Sequence, residues 1–382
     1  MAFRLSLRVF SVSLGVNVNS TEERNQQIKD LLDDLYTKAT DEQYTIDEKI
    51  YKEAIDKLFD TKAWGFREIV LVVIIGMMLD PKYQASNGLY NCSPRAIYEG
   101  PIKDFLIEKE IPHRKSGPLN VAKATVGLDD TWAAQRRPAD IAKMVVVIIN
   151  YMERNRKQVV SVGVSLMRRL IALRKHLKSL SVTLEPSSNP DFLYNLCFHL
   201  IKDAPDSGNT PQKIVAFLLK NYHVSMNTGV VVTGEEDRAS VTSTTSKKPG
   251  DVNEESTSGI IYKVYEVTVK PFNLARIIDS HDCVQVYNES VGTNLNEIIV
   301  ICRPEDCPTE MKASGLHEYL GSYEYQNIVY YYWNIYEWIS STLQRMTRNG
   351  KIGFYRDLNN YINHINTAEE VKTVWKGLLT EY

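Results

Sequence analysis

The sequence predicts an α+β protein: a mainly helical N-terminal part, a mixed sheet flanked by helices, and a helical, aromatic-rich C-terminal segment. Three observations carry this. Residues 20–110 repeat a helical grammar of capped starts and apolar residues three and four apart. From "VSMNTGVVVTG" onward the pattern turns to β-branched, alternating runs divided by polar turns. Between the two regimes lies "EPSSNPDF" (185–192), a turn-rich break. The resulting boundaries are 1–190, 191–315 and 316–382.

The elements follow in order. "STEERNQQIKDLLDDLYTKAT" opens with Ser20 or Thr21 as a cap and glutamates in the first turn. "TIDEKIYKEAIDKLFD" and "GFREIVLVVIIGMML" repeat the pattern, and Ser93-Pro94 starts another helix. Gly117-Pro118 marks a loop, and Pro138 begins a helix running to about Asn155. "VVSVGVSLMRRLIALRKHLKSL" is a helix whose basic residues gather in its C-terminal half. After the break come a helix pair ending near His223, three strands, the amphipathic helix "NLARIIDSHDCVQVYNES" and the buried strand "NEIIVICRPED". The order is helix, strand, strand, strand, helix, strand. "YQNIVYYYWNIYEWI" has the spacing of a helix packed on both sides, a core or dimer interface rather than a base-stacking surface.

Composition narrows the class. The chain has 382 residues, 43% of them hydrophobic, enough for two or three domains with cores of their own. The longest apolar run, "IVLVVIIGMML", is too short to span a bilayer. Arg4 and Arg8 interrupt the apolar N-terminus and no convincing cleavage site follows, so export is not expected. Five scattered cysteines suggest reduced thiols in a cytoplasmic protein. Cys302 and Cys307 lack the second pair that a zinc site needs. No Gly-rich phosphate loop or dinucleotide fingerprint is present, which argues against a nucleotide-dependent enzyme.

A net charge of −2 conceals an asymmetry. From His113 to Lys178 there are 14 Lys/Arg against 4 Asp/Glu, which leaves the rest of the chain strongly acidic. Such segregation favours a polyanion held by the basic region 113–178. Arg114, Lys115, Arg136 and Arg137 stand in Gly/Pro-punctuated loops, where side chains and backbone reach phosphates.

The stretch "TSKKPGDVNEESTSGIIYKVYEVTVKPF" (245–272) carries the chemistry. Residues two apart on a strand share a face, so Glu266, Thr268 and Lys270 project together. Asp251 lies 15 residues before Glu266, the distance at which a hairpin returns one strand beside another. Two acids so placed can share a Mg²⁺, which takes one or two protein carboxylates and leaves its other positions to water and phosphate. A nearby ammonium then stabilises developing charge. Lys247 and Lys248 flank the site. A solvated edge hairpin is the plainer reading of the same alternation. Glu235, Glu236 and Asp237 read as a loop tip, Glu254 and Glu255 as hairpin loop, and His281 as a surface or packing histidine.

"KPGD…YEVTVK", the amphipathic helix after it and "EIIVICRP" resemble the PD-(D/E)XK nuclease core, its type II restriction endonuclease branch above all. The resemblance covers roughly residues 210–310. It implies a mixed sheet with flanking helices, Mg²⁺ bound by Asp251 and Glu266, and a lysine two residues after the second acid. Thr268 occupies that position, and Lys270 stands one pleat further, about 6.6–7 Å along the strand; Lys248 is the other candidate for its charge. The expected function is Mg²⁺-dependent, sequence-specific cleavage of double-stranded DNA by a homodimer, with a companion DNA methyltransferase. The alternatives are a DNA-binding protein with a decayed nuclease core and a helical scaffold protein.

Overall fold

The computed structural model describes residues 6–114, 117–236 and 248–380, with the backbone alone for 6–20 and 117–119. The chain is α+β and divides into two compact units, Met1–Ser179 and Leu180–Tyr382. The division falls just before the turn-rich break. Among the described residues no helix is long and apolar enough to cross a membrane.

The first unit is helical. Its centre is the helix Gly65–Leu79, which is apolar all round and therefore buried along nearly its whole length. The helices Ser6–Thr40, Ala139–Arg154 and Val159–Ser179 pack about it. Ser20 and Thr21 lie inside Ser6–Thr40, so the helix does not begin at them. The basic end of Val159–Ser179 is largely absorbed within the unit. Arg169 pairs with Glu48 at 2.7 Å and Asp56 at 2.8 Å, Arg174 donates to the Tyr36 hydroxyl at 3.0 Å, and Lys178 pairs with Glu110. The local excess of positive charge is thus partly a set of internal ion pairs.

The second unit is built on a seven-stranded sheet: β1 (Val231–Thr233), β2 (Val252–Glu255), β3 (Ile261–Thr268), β4 (Glu297–Cys302), β5 (Lys312–Ala313), β6 (Tyr319–Tyr325) and β7 (Ile328–Asn334). Their order is β1-β2-β3-β4-β7-β6-β5. β1, β2 and β3 are antiparallel, β3, β4 and β7 parallel, and β7, β6 and β5 antiparallel again, so the sheet is mixed. The parallel β3–β4 pair requires a crossover, supplied by the helix Leu274–Val291. That helix covers one face over Val264, Ile298, Val300 and Tyr330. The helices Pro190–Asp203, Asn209–Met226 and Ile335–Arg345 cover the other, over Val252, Tyr265, Val267 and Ile301. β4 is accordingly buried on both faces and reads as an unbroken apolar run.

Further expectations need correction: Gly117-Pro118, read as a loop, opens the helix Gly117–Ala122. "YQNIVYYYWNIYEWI" is not one helix: Ile328–Asn334 is a strand, and the helix begins only at Ile335. Burial along the strand alternates residue by residue, with Ile328, Tyr330 and Tyr332 inward. A run of aromatics masks that alternation because every position is apolar. The strands β6 and β7 thereby belong to the same sheet as β2 and β3, and residues 316–382 are part of one compact unit with them. Glu254 and Glu255, too, lie in β2 and not in a hairpin loop.

Candidate active site

Asp251 precedes β2 directly and is held from several sides. The Gln212 amide, on the buried face of Asn209–Met226, donates to the Asp251 carbonyl at 3.1 Å and to the Gly234 carbonyl at 3.2 Å. Gly234 has φ +104, and a side chain there would press within 2.1 Å of the Asp251 carbonyl, so only glycine fits. Gly250 packs against β3 as closely: a Cβ would lie 2.4 Å from Val264 Cγ1. The Asp251 carboxylate accepts the Val267 amide at 3.0 Å, which ties the start of β2 to the end of β3.

Glu266 points from β3 beneath the crossover helix and is only 8% exposed. Ser280 donates to its Oε1 at 3.2 Å, and the Arg276 guanidinium stands 4.0 Å from its Oε2. Asp251 and Glu266 lie close enough to share a hydrogen bond. Burial, then the negative charge of Asp251, pushes Glu266 up to about 8. Burial raises Asp251 as well, against the Val267 amide and Arg276, which lower it. A buried acid whose ionisation is disfavoured by the acid beside it leaves the pair holding either a shared proton or a cation. Among the described residues no group of three or more His, Cys, Asp or Glu is placed to hold a metal, so a cation here would have two carboxylates.

The other expected residues divide. Thr268 ends β3; its hydroxyl accepts from Arg276 and from the Lys270 amide at 3.1 Å, and donates to the Lys270 carbonyl at 2.9 Å. Those bonds turn the chain out of the sheet, so Lys270 sits exposed in a bend and not on a continued strand. The expected row of Glu266, Thr268 and Lys270 stops at Thr268. Lys248 is half-buried just before Pro249-Gly250, and Lys247 lies outside the described residues. In the first unit Arg114 lies over the Trp64 ring at 4.2 Å, and its amide donates to Glu68 at 2.6 Å. Arg136 lies beside the Trp132 ring at 6.0 Å, while exposed Arg137 donates to the Ala134 carbonyl at 3.2 Å and the Arg136 carbonyl at 2.8 Å. Lys115 lies outside the described residues. Of the loop-tip acids, Glu235 pairs with Lys220 at 3.0 Å and Asp237 lies outside the described residues. His281 is a buried packing residue, its Nε2 3.3 Å from Asn327 Oδ1.

Sequence reasoning missed Arg276, Ser280 and Gln212. Arg276 and Ser280 are four apart and therefore share a helix face, the one turned to β3. Polar residues on the inward face of an amphipathic helix were the available signal. Also missed was a chain on the opposite face: Tyr265 donates to Glu254 Oε1 at 2.6 Å, and His223 Nε2 lies 3.2 Å from the same oxygen. The chain matches no known family model and no curated protein at a significant level.

Proposed function

We propose that this protein is a Mg²⁺-dependent endonuclease that hydrolyses phosphodiester bonds of double-stranded DNA. The observation that carries the reading is the meeting of Asp251 and Glu266, 15 residues apart in sequence, as a buried carboxylate pair with a guanidinium beside it. Such a pair suits a hard divalent cation with oxygen ligands. Asp251 and Glu266 would hold Mg²⁺, which when bound supplies an acidified water and charge neutralisation at phosphate. The chain's own residues do the rest. The Val267 amide orients Asp251, Ser280 orients Glu266, and Arg276 contributes the fixed positive charge that the resemblance assigns to a lysine. The succession of helix, three antiparallel strands, crossover helix and parallel strand supports the resemblance to PD-(D/E)XK nucleases. Sequence specificity, a homodimer and a companion methyltransferase follow from that resemblance and from nothing else.

The position of Lys270 favours a second reading, in which the core binds DNA without cutting it. Incubation of phage-length DNA with the protein, with and without Mg²⁺, separates the two. Discrete Mg²⁺-dependent fragments that vanish in Asp251→Ala and Glu266→Ala support the nuclease. Retarded but intact DNA supports the binding protein. Neither effect on several DNAs sinks both.

A further inference from the structure

On the face of β3 away from the carboxylate pair lies a cavity of about 490 Å³. Its volume falls within the roughly 300–1,000 Å³ of small-molecule sites. Tyr265, Ile299 and Trp333 line it from the sheet, Trp338, Ser341 and Arg345 from the helix Ile335–Arg345, and Lys263 and Glu318 complete it. Tyr265 and Glu266 are sequence neighbours pointing to opposite faces, so this cavity and the carboxylate pair are separate sites on one strand.

The lining states what would fit. Trp333 presents the accessible aromatic surface, the Trp338 and Tyr265 rings behind it are largely buried, and the Tyr265 hydroxyl is turned aside to Glu254. The Lys263 ammonium stands 5.7 Å from the Tyr265 ring centroid. Ser341 joins the remaining charges: it donates to Glu318 Oε1 at 2.8 Å and accepts from Arg345 at 3.0 Å. Two cations against one carboxylate leave a net positive charge, and the carboxylate accepts N–H groups. A planar heterocycle bearing ring amino groups and an attached phosphate meets every one of these demands.

We infer that this cavity binds a nucleoside monophosphate unit, the base against Trp333 and the phosphate at Lys263 and Arg345. The site needs no Gly-rich loop because stacking and side-chain cations replace backbone amides. The unit comes either from a free nucleotide or from a nucleotide of a single strand.

The test is a tryptophan-fluorescence and calorimetric titration of the full chain in EDTA, which makes it independent of cleavage. The probes are 5′-deoxynucleoside monophosphates, the matching nucleosides, inorganic phosphate and a short single-stranded oligonucleotide. Saturable quenching by a monophosphate is expected, with the nucleoside about tenfold weaker because a charge-assisted contact is lost. Lys263→Ala, an exposed position, should remove that preference, and Trp333→Leu should abolish the quenching. A Trp333-dependent signal from the oligonucleotide alone assigns the strand as the source. No saturable signal from any probe, or undiminished affinity in both variants, overturns the inference.

Discussion

Arg276 donates to Thr268 and, by that bond, holds its guanidinium 4.0 Å from Glu266. The positive charge beside the acids therefore comes from the crossover helix and not from the strand. Replacing Arg276 by Ala should slow Mg²⁺-dependent cleavage by about 100-fold, the scale of removing one preorganised electrostatic group. Lys270→Ala should leave the rate unchanged. Nicking of supercoiled plasmid measures both, and the reverse order of effects would restore the lysine to the mechanism.

The carboxylate pair should make stability depend on pH. Glu266 rises from its ordinary value of 4.5 to about 8, so the folded state binds more protons than the unfolded one in that window. Stability contributed by the protonated pair is complete below the lower value and is lost as pH climbs through the upper one. A divalent cation competes with the protons and should raise Tm more at pH 8 than at pH 5. Thermal melts across this range, with and without Mg²⁺, test it. Glu266→Gln should flatten the pH slope and remove the Mg²⁺ increment.

Gln212 is a positioning residue, since it touches only the backbone around Asp251. Gln212→Leu leaves the buried Gly234 and Asp251 carbonyls without this donor and should cost about 1–3 kcal/mol. It should also reduce the Mg²⁺-induced rise in Tm without abolishing it. A loss of stability with the Mg²⁺ response intact would make Gln212 purely structural.

Lys372 offers an opposite sign. The residue is 1% exposed, its ammonium donates to the Ile362 carbonyl at 2.8 Å, and burial lowers it to about 8. The folded state therefore holds the proton less tightly than the unfolded one, and stability should rise between pH 8 and the ordinary lysine value of 10.5. Lys372→Met should stabilise the protein at pH 7 by about 1–3 kcal/mol, with the gain shrinking as pH rises. Denaturant midpoints at neutral and alkaline pH settle the sign.

Much of the sheet around the carboxylate pair was legible because its signals are local. "IIYKVYEVT" alternates, "KPGD" turns, and a hairpin brings Asp251 to Glu266; strand period and turn chemistry suffice for that. The end of β3 was not legible. Thr268 reads as the next residue of a regular row, and only its side-chain bonds to the Lys270 backbone break the row. β7 was hidden for another reason: Tyr330, Tyr331, Tyr332 and Trp333 offer no polar partner to expose the alternation. Trp338 does sit in a helix and in the core, as such a reading expects, whereas Trp333 ends a strand and is only half-buried. In the basic block, charge counting could not foresee that Glu48, Asp56 and Glu110, distant in sequence, would engage it.

The borders of the sheet have a consequence for association. β1 has 3 residues and β5 has 2, and among the described residues these are the outermost strands. A neighbour joining by backbone pairing would find hardly a rung to grip, which protects the unit from edge-to-edge aggregation. Two copies working on opposite DNA strands would have to meet through side chains, so the specificity of any such pairing is written in helices and loops.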